Sequence, residues 1–135
     1  MTEIINAVQI GKIGEYIACA IIEQIGYRAN IVNQTGFDLV FFDDNNLSWR
    51  VEVKSCSTRE RTQPRWMFMT SKGSGAKKLL SEDDCDIVAL VAIDERRVCF
   101  RHVRQLKNKR TRLYQKDFDE PEAVQLRKAM DRSRR

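Results

Sequence analysis

The chain has 135 residues, 42% of them hydrophobic and 32% charged, with a formal net charge of +5. That length predicts one domain spanning 1–135, large enough to bury a core without disulfides or a structural metal. No apolar run approaches the roughly 20 residues that cross a bilayer, and the opening MTEIINAVQIGK has no basic segment leading into an apolar stretch, so a cytoplasmic protein outside the membrane is expected.

Residues 3–25 read as one helix. Ile10, Ile13, Ile17, Ile21 and Ile25 recur at three- and four-residue steps, an apolar stripe along one face, with Lys12, Tyr16 and Glu23 opposite. Gly26 stops the helix, as a glycine just past a C-terminus does. Gly11 and Gly14 weaken it, which makes sense only if something packs closely there.

Strand-like stretches follow. Residues 28–32 form a short edge strand, and 37–42 a bulky apolar run interrupted by Asp38. Asp43-Asp44-Asn45-Asn46 is a turn by composition. Residues 48–55 alternate, with Val51 and Val53 on one face and Glu52 and Lys54 on the other. Residues 65–70 form a further strand, 71–74 a loop and 75–80 a short helix. Residues 86–93 (DIVALVAI) are nearly continuously apolar, the pattern of a strand covered on both faces. Residues 98–103 pair back across a turn at 94–96. Residues 120–132 form a terminal helix with Pro121 in its first turn. The order predicts an α/β fold with a mixed β-sheet.

Charge is unevenly placed. Residues 1–95 hold 10 Lys and Arg against 14 Asp and Glu, a net of −4, whereas residues 96–135 hold 14 against 5, a net of +9. A basic C-terminal segment, about 104–135, suggests a polyanionic partner, nucleic acid first, against the plainer reading of a solvated tail. Cys19, Cys56, Cys85 and Cys99 form no C-x-x-C motif, and the single histidine, His102, adds one ligand at most, so reduced thiols are expected and a zinc site is not.

The segment that carries chemistry is GFDLVFFDDNNLSWRVEVKSCS (36–57). Glu52 and Lys54 leave the same strand face, and a hairpin brings Asp38 beside them. Two carboxylates at one point are costly unless a cation neutralises them. Mg²⁺ fits: it takes oxygen ligands, accepts one or two protein carboxylates and leaves room for water and phosphate. Lys54 then lies where it can position a water or offset transition-state charge. The competing readings are an exposed Glu52–Lys54 ion pair and an Asp38 that only ends a turn. Burying Asp38 within an apolar run without a partner weighs against them. Glu15 sits at the border of the helix's polar face, either a fourth member or a carboxylate paired with Lys12.

GKIGEYIACAIIEQIGY, TGFDLVFF and WRVEVKSCS, in that order, resemble the PD-(D/E)XK nuclease superfamily. The likeness is to its small stand-alone members, Holliday junction resolvases and compact phage or intron-encoded endonucleases, and it covers roughly residues 10–103. It implies a restriction-endonuclease-like core, a mixed β-sheet flanked by helices. It implies catalytic residues Glu15, Asp38, Glu52 and Lys54, with the three acids binding Mg²⁺, for which Mn²⁺ substitutes. The implied activity is phosphodiester hydrolysis in DNA, branched or duplex, by a homodimer or larger symmetric assembly, in a host cell's cytoplasm if the gene is a phage's. A structure-specific resolvase leads. A sequence-specific homing or restriction-type enzyme is the alternative, and a non-catalytic nucleic-acid-binding module is the alternative of another class. Phe37 stands where the family has proline. Candidate DNA contacts are Arg59, Arg61 and Arg65 after the active-site strand, Lys72 in the following loop, and Lys107, Lys109, Arg110 and Arg112 further on, read as phosphate contacts that position without specifying sequence. Trp66 and Phe68 are expected in the core, and His102 in a structural role or on a phosphate.

Overall fold

A computed structural model describes residues 6–34, 37–73 and 76–132. The first helix, α1, spans Ala7–Ile25; residues 3–5 of the expected helix lie outside the described residues. Asn6 caps it, accepting from the Gln9 N–H while the Gln9 side chain accepts from the Asn6 N–H at 3.2 Å. Gly26 closes it in the left-handed region at φ 117°, a conformation that costs glycine nothing. Strands β1 (Arg28–Gln34), β2 (Phe37–Phe42) and β3 (Ser48–Cys56) follow, then β4 (Arg65–Met69), β5 (Ser71–Lys72) and β6 (Lys78–Leu79). Strands β7 (Ile87–Ala92), β8 (Arg97–His102) and β9 (Arg110–Tyr114) and helix α2 (Glu122–Asp131) complete the chain.

The main sheet has the order β1-β2-β3-β7-β8. Only β3 and β7 pair in parallel, with Glu52 opposite Val88 and Lys54 opposite Leu90; the other pairs are antiparallel. This is the mixed α/β sheet the sequence predicts. The β2–β3 turn is held as its composition implies: Asp43 accepts from the Asn45 and Leu47 N–H groups and from the Trp49 indole.

Both helices pack on one face of the sheet, over Leu39, Phe41, Val51, Val53, Ile87, Ala89 and Val91. The other face carries Val88 and Leu90 and is covered by a two-stranded ribbon of β4 and β9. Trp66 and Phe68 are each 1% exposed, core residues as expected. Trp66 meets Phe118 edge-on, their centroids 5.2 Å apart, and donates its indole N–H to Asp94.

Three readings of the sequence are corrected. The short helix at 75–80 is absent among the described residues: Lys78–Leu79 is a strand that pairs antiparallel with Ser71–Lys72, so part of the expected loop at 71–74 is strand too. Ser74 and Gly75 lie outside the described residues. The buried line of α1 is Gly14, Ala18 and Ile22, with Ile17, Ile21 and Ile25 flanking it. Small residues win the central positions because the helix lies so close to β3. A Cβ on Gly14 would meet the Ser55 Oγ at 1.8 Å, whereas one on Gly11 would meet nothing within 4 Å. The basic C-terminal segment, finally, is no free tail. Leu113, Phe118, Leu126 and Ala129 are at most 3% exposed, and residues 133–135 lie outside the described residues.

Candidate active site

The β2–β3 register ends at Leu39 opposite Val51. One residue further, the Asp38 side chain takes over the ladder, its Oδ2 accepting from the Val53 N–H at 2.9 Å. A carboxylate thus stands where a backbone carbonyl would, fixed beside Glu52 on the next strand. Asp38 therefore has a structural anchor and still presents its charge to the site.

Glu52 is only 15% exposed and meets the Lys54 ammonium at 3.4 Å. The same ammonium donates to the Ser71 carbonyl at 3.2 Å. Burial, the Asp38 charge and a hydrogen bond shared with Asp38 push the Glu52 carboxyl up to about 8, against the pull of Lys54. Two acids sharing a desolvated space cannot both ionise cheaply. A cation bound here would compete with the proton on Glu52.

Glu15 reaches the same region from α1. Its neighbour Gly14 is pressed against Ser55, which brings the backbone of residue 15 close to β3. Burial, then the charge of Asp38, raises its carboxyl above the usual range, with Lys12 opposing. The expected Lys12 pair exists only as a 4.0 Å approach, too long for a hydrogen bond. The Glu15 Oε1 is buried without a hydrogen-bond partner, as are the hydroxyls of Ser55 and Ser71.

The structure sets Asp38 and Glu52 as a pair with Lys54 on Glu52, and leaves Glu15 within electrostatic reach of Asp38. Among the described residues, no three His, Cys, Asp or Glu side chains stand as a ready metal-binding group. The donor set still suits Mg²⁺, which needs one or two protein carboxylates and fills its octahedron with water and phosphate.

The candidate DNA contacts fall in the segment between β3 and β4, on β5, and on or just before the ribbon formed by β4 and β9. Arg59 and Arg61 are exposed in the segment between β3 and β4, a stretch pinned where the Arg59 N–H meets Asp94. Arg65 is committed to Glu60 at 2.7 Å, and Lys72 to Asp84 at 2.5 Å, so neither is the loose cation the sequence suggests. Lys107, Lys109, Arg110 and Arg112 are all exposed. His102 is 1% exposed and its Nδ1 accepts from the Arg104 N–H, a structural role. Sequence reasoning missed Ser71, since a backbone acceptor leaves no signature in the sequence. It also missed Ser55, although Gly14 hinted at a close approach. The four cysteines are free thiols; burial pushes Cys85 and Cys99 up to about 12, which leaves them as packing groups.

The fold is a mixed five-stranded α/β sheet with both helices packed on one face. Among solved structures it is similar to a bacterial homing endonuclease, I-Ssp6803I, with a TM-score of 0.70 at 15% identity, over 96% of this chain and 99% of the other. At that identity the likeness is one of fold. No family model matches the sequence, and no curated protein matches it. No helix among the described residues is long and apolar enough to cross a membrane.

Proposed function

We propose that this protein is a metal-dependent DNA endonuclease of PD-(D/E)XK type that hydrolyses phosphodiester bonds. The observation that carries the reading is the buried carboxylate pair, Asp38 and Glu52, with Lys54 fixed beside it. Mutual repulsion at this point destabilises the protein, and a divalent cation reverses the sign of that interaction. A non-catalytic nucleic-acid binder has no use for such a pair.

Asp38 and Glu52 would hold the ion, with Glu15 assisting directly or through a water. When bound, Mg²⁺ or Mn²⁺ would supply positive charge and acidify water. Lys54, held by Glu52 and by the Ser71 carbonyl, orients the attacking water or offsets charge building on the phosphate. One cluster cuts one strand, so duplex cleavage calls for a homodimer or a larger symmetric assembly. The fold likeness favours a defined duplex sequence over a branched junction as the target.

The test is cleavage of a labelled four-way junction and of a duplex library in Mg²⁺, Mn²⁺ and EDTA, with Lys54→Ala alongside. Metal-dependent cutting of duplexes that share a sequence, lost in EDTA and in the variant, is expected. Symmetric cutting of the junction regardless of sequence moves the target to branched DNA. Metal-independent binding of both DNAs without cleavage removes the enzyme reading.

A further inference from the structure

The β4–β9 ribbon has one dry face and one bare face. Trp66, Phe68 and Leu113 point inward and are at most 3% exposed. The register sets Arg65 opposite Tyr114, Met67 opposite Arg112 and Met69 opposite Arg110, and these six form the outer face. Met69 is 39% and Tyr114 38% exposed. Arg65 is held by Glu60, but no ion pair among the described residues engages Arg110 or Arg112, which are both exposed. The flanking run RHVRQLKNKRTRLYQK (101–116) holds seven Lys and Arg and no acid. Such a surface is complementary to a polyanion.

We infer that the outer face of this ribbon enters the major groove of duplex DNA and reads base edges. The inference deepens the nuclease reading and rests on it for the identity of the partner. The major groove, about 12 Å wide, admits a two-stranded β-ribbon. Outward side chains on one strand repeat about every 7 Å, which matches two base-pair steps of about 3.4 Å. Arg110 and Arg112 therefore address alternate base pairs. Their forked guanidinium groups suit guanine, and the exposed Met69 suits the methyl group of thymine. Lys107 and Lys109, in the approach to β9, supply the phosphate contacts that hold the register. The face also connects to the cluster: β4 ends at Met69, and Ser71, two residues on, holds Lys54. Reading and cutting are thus joined through a short, ordered stretch of backbone.

The test selects binding sites from a randomised duplex library with Ca²⁺ in place of Mg²⁺, using wild type, Arg112→Ala and Arg112→Lys, and measures the salt dependence of binding. The expected result is a defined motif for wild type and, in R112A, discrimination reduced about 5- to 150-fold at one position. R112K restores the salt slope but not the base preference, because an ammonium lacks the fork. A uniform loss across all sequences that R112K repairs makes Arg112 a phosphate contact and overturns the inference. An unchanged motif and affinity in R112A overturns it too. If wild type cuts duplex DNA in Mg²⁺ but selects no motif, the inference falls and the nuclease stands. If wild type neither binds nor cuts duplex DNA, both fall. The side chain of Arg112 is exposed, so a folded variant is expected, and its melting curve checks that.

Discussion

On β3, Val51 and Val53 turn toward the helices, 0% and 9% exposed, while Glu52 and Lys54 leave by the opposite face. On β2, Leu39 is buried against α1, and Asp38, next to it, closes the ladder with its carboxylate. The two faces of one sheet are therefore built from alternate residues of the same strands. The helix side is dry and stable. The ribbon side concentrates like charge and a pinned ammonium, features that cost stability and that only a cation and a phosphate would repay, and Glu15 approaches it from α1. Period-two alternation lets a single strand serve both ends without compromise.

Consecutive residues should then break the protein in opposite ways. Asp38→Asn keeps an acceptor for the Val53 N–H and removes a charge from the cluster. Cleavage should fall about 100- to 1,000-fold, while the melting temperature holds or rises, because the repulsion on Glu52 and Glu15 is relieved. Leu39→Ala should do the reverse: about 2–5 kcal/mol of stability lost to a cavity, with cleavage per folded molecule nearly intact. Denaturant melts and single-turnover cleavage of both variants check the pair. Equal losses of activity in the two would show that the faces are not separable.

The Glu52 titration sharpens the contrast. Its carboxyl titrates at about 8 in the folded chain against a reference of 4.5, so the folded state binds the proton more tightly than the unfolded one. Without metal, the contribution of this group to stability should be greatest below about pH 4.5, where it is protonated in both states, and should decline as pH rises toward 8. Glu52→Gln should flatten that slope. Mg²⁺ should bind with release of about one proton at pH 7 and more tightly as pH rises. Melting temperature against pH, with and without Mg²⁺, reads all three, and a wild-type slope of the opposite sign would remove the shared proton.

Much of this was legible before the structure. Alternation around Glu52, the lone acid in FDLVFF and the apolar DIVALVAI run identified β2, β3, β7 and the cluster, because each pattern is local and binary. The ribbon was half seen. Residues 65–70 read as a strand, but RTRLY, with one buried residue in five, has too little apolar signal to announce β9. Its partner lies some 40 residues away, and pairing at that range is decided by tertiary packing. Lys78–Leu79 reads as helix in the sequence because two-residue strands have no period. The helix stripe was misplaced because isoleucine spacing reports hydrophobicity, whereas the closest contact went to the smallest side chain.

That last error points to the smallest effect. Gly14 is buried in α1, and a methyl group there would meet the Ser55 Oγ at 1.8 Å and its Cβ at 3.0 Å. The obstacle is a short side chain on a central strand, so relief requires the helix to lift. Gly14→Ala gains helix propensity, worth about 1 kcal/mol, and incurs overpacking, about 1–3 kcal/mol. A net loss of about 1 kcal/mol is expected. Ser55→Ala removes the oxygen, and with it a buried hydroxyl that has no hydrogen-bond partner, so alone it should be neutral or stabilising. In the double variant the Gly14→Ala penalty should shrink, and a double-mutant cycle by denaturant melts measures the coupling. Because Glu15 follows Gly14 directly, lifting the helix also withdraws Glu15 from Asp38. Gly14→Ala should therefore lower cleavage in Mg²⁺ more than its modest stability cost accounts for, and Ser55→Ala should recover part of it. If cleavage stays at the wild-type level while stability drops, Glu15 takes no part in the chemistry, and the helix side contributes packing alone.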